Sequence, residues 1–366
     1  MALPWAASAQ TTLSTQLAND GTYKNDLYWI NFDGVTAANL TALANYQAVI
    51  SNGTGNYGLS FALQAVGSGF VNPRALATNP LTSLGQPGHY SQSSGTFVIP
   101  TSGTPADGTL NFTNIEVRNQ ANQRLQFQWI VADAERTSGN GERIDGTTNG
   151  DGWALLEMLP GTTAGAPLNE LTFGASTFSI TPTLAGTSIN AFLVSTKIHD
   201  VANPGAISIL LTEPNGAQAV ALAVQPLIPQ ASIACVQPRI NTGETSICTV
   251  TVDNPPLDNF TIPVTVPTGP DYTSNCGKTF NFTGSGNTSV SQTCTVTVPA
   301  GTTPTPTTVP LTITPSPAGN YVVKKDGQVL LGAAAAAAVP TLNEWALMLL
   351  GLAMLGVAGF HYKRRV

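Results

Sequence analysis

Residues 346–360 read ALMLLGLAMLGVAGF, an unbroken apolar run, and His361-Tyr362-Lys363-Arg364-Arg365-Val366 follows it to the C-terminus. Counted from Trp345 to Tyr362 the segment is 18 residues long. As a helix it measures about 27 Å, close to the roughly 30 Å of a bilayer's hydrocarbon core. Trp345 and Tyr362 suit the two interfaces, and the basic cluster stays in the cytoplasm. The pattern predicts a C-terminal transmembrane helix, with everything before it outside the cytoplasm. A buried last helix of a soluble domain needs no basic stop signal and explains the pattern less well.

An extracytoplasmic body agrees with the rest of the chain. Charged residues make up only 9% of the 366, against about 25% in ordinary soluble domains. Thr, Ser, Asn and Gln take the polar positions, and Gly (35) and Pro (26) are plentiful. The net charge is -6 and the body carries no clustered Lys or Arg, so a phosphate-binding surface is not expected and nucleic acid is excluded as a partner. The N-terminus, MALPWAASAQTT, places Ala7-Ser8-Ala9 before Gln10, which fits the small-x-small rule for signal peptidase. Residues 1–9 are therefore read as the remnant of a signal peptide whose basic and apolar parts are largely missing.

The four cysteines, Cys235, Cys248, Cys276 and Cys294, fall in one segment and are even in number. In an exported chain this predicts two disulfides. Zinc is disfavoured, because there is no CxxC spacing and His199 and His361 are remote. Cys248-Thr249-Val250-Thr251-Val252 is echoed by Cys294-Thr295-Val296-Thr297-Val298, and each echo is preceded by another cysteine. The simplest pairing joins Cys235 to Cys248 and Cys276 to Cys294, with a staple between the two repeats as the rival. The repeats read either as tandem small units or as two parts of one sandwich, the latter slightly preferred.

Strand signals fill the body. Leu27 to Phe32 is β-prone, and from Arg124 to Trp129 apolar Leu125, Phe127 and Trp129 alternate with Arg124, Gln126 and Gln128. Leu171 to Ile180, Ala191 to Ser195 and Ala206 to Leu211 are further strands, and one short helix is expected from about Ala37 to Tyr46. The expected class is all-β: a β-sandwich or jelly-roll domain over 10–225, then a smaller Ig-like, disulfide-containing β region over 227–325. A linker over 326–338 with six alanines leads to the tail, 339–366. Gly301 to Pro310, rich in Thr and Pro, reads as an edge connection or a stiff extended segment.

Chemistry is sparse. No HExxH, GxSxG, Walker or dinucleotide motif is present, so no enzyme and no cofactor are expected. The acidic stretch Asp133 to Glu157 is the densest. Asp133 and Glu135 are the best candidate for paired glycosidase carboxylates, but a chance pair is favoured. Asp133, Glu135, Asp145 and Asp151 are the candidate ligands for Ca²⁺, since oxygen ligands along a Gly-rich turn suit that ion. The stretch lacks EF-hand spacing and a closing bidentate Glu, so polar surface turns compete with this reading.

Two resemblances add to these readings. Val339-Pro340-Thr341-Leu342-Asn343-Glu344-Trp345, the apolar helix and the terminal basic cluster resemble the IPTL-type sorting signal of Gram-negative bacteria, with Val339 where Ile is usual. Its motif residues here are Val339, Pro340, Thr341, Leu342, Glu344 and Trp345. The resemblance implies processing by an exosortase-type protease, inner-membrane anchoring before that step, and display on the cell surface or outer envelope, or secretion. Gly21-Thr22-Tyr23-Lys24-Asn25-Asp26-Leu27-Tyr28-Trp29-Ile30-Asn31-Phe32 resembles the start of the non-repetitive domain of CshA-type fibrillar adhesins. So do Val131 to Glu135, Gly141 to Ile144 and Thr147 to Gly150 before Trp153. This implies a lectin-like β-sandwich that contacts a host or matrix protein or a glycan. The long repeat array of a fibrillar adhesin is absent. Adhesion is the leading reading; an envelope-spacing protein without ligand, and a carbohydrate-active enzyme or its lectin module, are the alternatives.

Overall fold

The computed structural model describes residues 10–17, 22–52, 55–75, 95–102, 106–134, 141–159, 169–182, 191–214, 218–315 and 320–332. The expected signal remnant, Glu135, His89, the alanine run and the whole sorting segment lie outside the described residues. Among the described residues no helix is long and apolar enough to cross a membrane.

The chain is all-β. Its first fifteen strands are β1 (Gln10–Leu17), β2 (Tyr28–Asn31), β3 (Ala44–Asn52), β4 (Gly55–Gly67), β5 (Val98–Pro100), β6 (Ala106–Arg118), β7 (Arg124–Leu125), β8 (Phe127–Asp133), β9 (Arg143–Thr148), β10 (Trp153–Leu159), β11 (Glu170–Phe173), β12 (Thr177–Thr181), β13 (Ala191–Ile198), β14 (Gly205–Glu213) and β15 (Ala219–Pro226). They form one sheet in the order β10-β13-β8-β15-β2-β1-β3-β4-β6-β14-β9-β12-β11, with β5 paired to β15 and β7 to β6. The sheet folds over on itself as a nearly closed sandwich.

Its central strands are buried on both faces, and their side-chain alternation shows how. On β15, Val220, Leu222 and Val224 join the main core, which also holds Phe61, Phe112 and Trp129. The intervening Ala219, Ala221 and Ala223 face a second cluster with Trp29, Phe97 and Ile130. Successive side chains point to opposite faces, so a strand covered on both sides reads as continuously apolar. The small alanines let the Trp29 and Phe97 layer approach closely.

The one helix among the described residues, α1 (Ala37–Thr41), is shorter than expected. Thr36 caps it, with Asn39 closing a reciprocal capping box. From Ala44 the period changes to two: Tyr46, Ala48 and Ile50 are buried on β3, and Tyr46 stacks on Phe61 at 5.6 Å. Burial of that face outweighs continuation of the helix. Leu171 to Ile180, expected as a strand, is a hairpin of β11 and β12 closed by the Gly174 N–H to Thr177 carbonyl bond at 2.9 Å.

The next strand starts four residues after β15 ends. The second unit comprises β16 (Gln230–Cys235), β17 (Arg239–Ile240), β18 (Thr245–Asp253), β19 (Phe260–Thr265), β20 (Thr273–Ser274), β21 (Thr279–Phe282), β22 (Ser289–Thr297), β23 (Thr307–Ile313), β24 (Val322–Lys325) and β25 (Gly327–Leu331). Two five-stranded sheets, β20-β22-β18-β16-β24 and β17-β25-β23-β19-β21, enclose a single apolar core. The Thr/Pro stretch joins this sandwich through β23. The two cysteine-led repeats are β18 and β22, adjacent and antiparallel, with Cys248 opposite Cys294. Cys235 bonds to Cys248 on the next strand, and Cys276 bonds to Cys294. Each disulfide thus closes a short local loop.

Candidate functional site

The turn between β6 and β7 ends in Arg124, whose strand alternation continues through Gln126 into β8. Leu125, Phe127 and Trp129 point into the main core. Alternation therefore turns Arg124 and Gln126 the other way, where they meet the second unit. The Gln126 side chain is fully buried. Its Nε2 donates to the carbonyls of Pro255 at 3.0 Å, Ser285 at 3.1 Å and Asn287 at 2.8 Å. Three carbonyl acceptors determine which end of the amide is the NH₂.

Beside it, the Arg124 guanidinium donates to Asp258 Oδ1 from Nε at 3.0 Å and Nη2 at 2.8 Å, and the Arg124 backbone N–H donates to Asp258 Oδ2 at 2.7 Å. The Leu257 N–H returns a bond to the Arg124 carbonyl at 2.8 Å. Burial works to raise the Asp258 carboxyl, but the Arg124 hydrogen bonds and charge, with Arg118 behind, outweigh it and hold it below the usual range. The Asp258 hydrogen bond and nearby carboxylates raise Arg124 in turn. Leu257, almost wholly buried, shares a small crevice with Ile115, Val117, Leu125, Phe127 and Ile198.

A second strut joins the same two units. His199 sits between Asp151, which its Nε2 meets, and the Gly286 carbonyl, 3.0 Å from its Nδ1. A side chain on Gly286 would collide with the His199 backbone. Glycine there permits the close approach of the two backbones.

Three of the four candidate calcium ligands, Asp133, Asp145 and Asp151, are described, and those three form no ligand group. Asp133, almost completely buried, ends β8 opposite Val220. Asp145 lies on β9 with the Arg143 Nε 2.6 Å away. Asp151 donates its N–H to the Lys197 carbonyl at 3.0 Å, and Lys197 pairs with Gln128 on β8. Asp151 and Asp133 are thus at opposite ends of β8, roughly 17 Å apart along the strand. Among the described residues no group of three or more His, Cys, Asp or Glu side chains could hold a metal ion. Glu135 and the sorting motif, Val339 to Trp345, lie outside the described residues.

Leu257, Asp258 and Gly286 went unnoticed in the sequence, and Arg124 and Gln126 were read only as the polar face of a half-buried strand. The one local signal was Leu257, a lone large apolar residue in the polar, proline-bearing turn Asp253-Asn254-Pro255-Pro256-Leu257-Asp258.

Comparison with known proteins agrees with this layout. Residues 25–225 match the model of the surface adhesin CshA non-repetitive domain 2, and residues 337–365 match the IPTL-CTERM motif. No curated protein matches the chain. Among solved structures, the N-terminal domain of the Streptococcus gordonii adhesin Sgo0707 matches at 10% identity over 83% of this chain and 84% of that one. Its TM-score is 0.30, too loose a superposition to carry an inference. The matched adhesin domain covers the large sheet apart from β1, and it ends one residue before the last strand does at Pro226. The chain belongs to the family of the surface adhesin CshA non-repetitive domain 2, a cell-surface adhesin-type protein exported and sorted through its C-terminal IPTL-CTERM signal.

Proposed function

We propose that the large unit holds a host or matrix protein or a glycan with the end remote from the second unit. The observation that carries this reading is the family match over residues 25–225 on a unit whose other end is taken up by the junction. The strand ends at Asp133, Arg143, Thr181, Ala191, Glu213 and Ala219 lie away from Gln126 and His199, and loops at the free end of a rigid sheet are where binding residues gather. The separation of Asp133 from Asp151 supports binding that does not need calcium.

Residues 345–362 span the inner membrane before an exosortase-type protease acts at the Pro340 to Trp345 motif, and the body then passes to the surface of a Gram-negative cell. The motif match at 337–365 and the basic residues after the apolar run support this order. The test is an array of glycans and matrix proteins probed with the full chain, with and without calcium. Binding to one class in both conditions is the expected result, and silence across the array overturns the reading.

A further inference from the structure

The incoming and outgoing strands of the second unit run side by side in the same direction. β16 pairs parallel with β24, matching Gln230 to Val322 and Ala231 to Val323. Further along, β17 pairs parallel with β25, matching Arg239 to Leu330 and Ile240 to Leu331. Only Asp326 separates β24 from β25, and only residues 236–238 separate β16 from β17. Each of the two terminal segments therefore crosses from one sheet to the other, and they do so together.

The ladder runs in two stretches, the first with a register shift between Ala231 and Ser232, and main-chain bonds anchor both. The Val322 N–H donates to the Pro229 carbonyl at 2.9 Å, the Leu330 N–H to the Pro238 carbonyl at 2.8 Å, and the Gly332 N–H to the Ile240 carbonyl at 3.0 Å. The Arg239 guanidinium adds a bond from Nη1 to the Gly332 carbonyl at 2.9 Å. The chain enters where Pro229 meets Val322 and leaves where Ile240 meets Gly332. Because the pair is parallel, those points lie at opposite ends of it. Pulling entry and exit apart directs force along the strands and loads all the ladder bonds at once. An antiparallel hairpin pulled by its two free ends would instead lose its bonds one at a time.

We propose that the unit from Gln230 to Leu331 is a force-bearing coupling that carries tension between a ligand held by the large unit and the tail, with this parallel pair as its strongest link. Only the source of the load rests on the adhesive reading above. Two further features serve the same end. The Cys235–Cys248 bond ties the end of the incoming strand β16 to the interior strand β18. The bonds from Gln126 and Arg124 to residues 255–258 and 285–287 give the large unit a second connection beside the short link 227–229.

The test holds the full chain by its two ends in a single-molecule force instrument, where the rupture event reports the unfolding barrier. A high-force event belonging to this unit is expected. It is lost in Leu330→Pro, which removes the N–H bonded to Pro238, but kept in Val309→Ala, which alters the core on β23 outside the pair. Arg239→Ala, which leaves the backbone intact, weakens the event and serves if the proline variant fails to fold. Reduction lengthens the extension by roughly 100 Å, because the disulfides withhold loops spanning 13 and 18 residues at about 3.5 Å each. Equal loss of force in Val309→Ala and Arg239→Ala overturns the proposal, as does an event no stronger than rupture of the large unit. No ligand is needed here, so failure leaves the adhesive reading intact, and a silent binding array leaves the mechanical result intact.

Discussion

The Gln126 side chain donates to the Asn287 carbonyl at 2.8 Å across the boundary between the two units, from a position with no exposure to water. The amide satisfies the buried Pro255 carbonyl and the part-buried Ser285 and Asn287 carbonyls, so its loss costs more than its net contribution as a hydrogen bond. Gln126→Leu leaves three carbonyl oxygens without that donor and is expected to destabilise the junction by about 1–3 kcal/mol. Gln126→Glu places a carboxylate against the same carbonyls and is expected to be worse. Thermal unfolding of both variants, read beside a limited-proteolysis map of residues 226–230, checks the order. Equal midpoints for wild type and Gln126→Glu would contradict it.

Acid is expected to loosen the same boundary. Asp258 stays ionised in the folded protein to a lower pH than in the unfolded chain, because its carboxyl is held down by Arg124. Its stabilisation is full above the ordinary carboxylate pKa of about 3.9 and is lost as pH falls through the lowered folded value. The window is therefore below pH 4. A denaturation series from pH 6 to pH 2, compared with Asp258→Asn, shows the difference between the two proteins shrinking as acid is added. A constant difference across the series would refute the assignment.

The apolar half of the junction is Leu257. Truncation to Ala removes a nearly buried side chain from its crevice beside Ile115 and Phe127 and is expected to cost about 2–4 kcal/mol. Gly286→Ala acts differently, by pushing the second unit off His199. Small-angle scattering should show a more extended particle for Gly286→Ala than for wild type, and an unchanged profile would count against the close approach.

Each disulfide closes a loop of 13 or 18 residues, worth roughly 3 kcal/mol by loop-closure entropy. Non-reducing peptide mapping should recover Cys235 with Cys248 and Cys276 with Cys294. The informative alternative is Cys248 with Cys294, since these two residues face each other on β18 and β22. Double replacement of either pair by Ser should lower the melting midpoint of the second unit while leaving the large unit's transition in place.

Chelation is the last check. With Asp133 and Asp151 at opposite ends of β8 and Asp145 beside Arg143, EDTA is expected to leave both the melting profile and ligand binding unchanged. A fall in either would restore a calcium site involving Glu135.

Much was legible along the chain because strand alternation is a local property. Leu125, Phe127 and Trp129 announce a core-facing edge by themselves, and the cysteine-led echoes announce two related strands. The sorting segment is read directly, since an apolar run closed by Lys363, Arg364 and Arg365 carries its meaning in one dimension. Tyr46 shows where local reading falls short: its helix-compatible neighbours gave no sign that Phe61 would draw it into a strand.

What sequence alone determined, then, is the all-β class, the export and sorting of the chain, and the adhesin resemblance of its first half. Tertiary structure alone decided what the polar face of residues 124–128 does. Arg124 and Gln126 look like solvent-facing residues in a half-buried strand, yet they meet Asp258 and three carbonyls more than 120 positions later. The physical reason is that a polar side chain is equally suited to water and to a complementary buried partner. Only the placement of the distant loops 255–258 and 285–287 distinguishes the two.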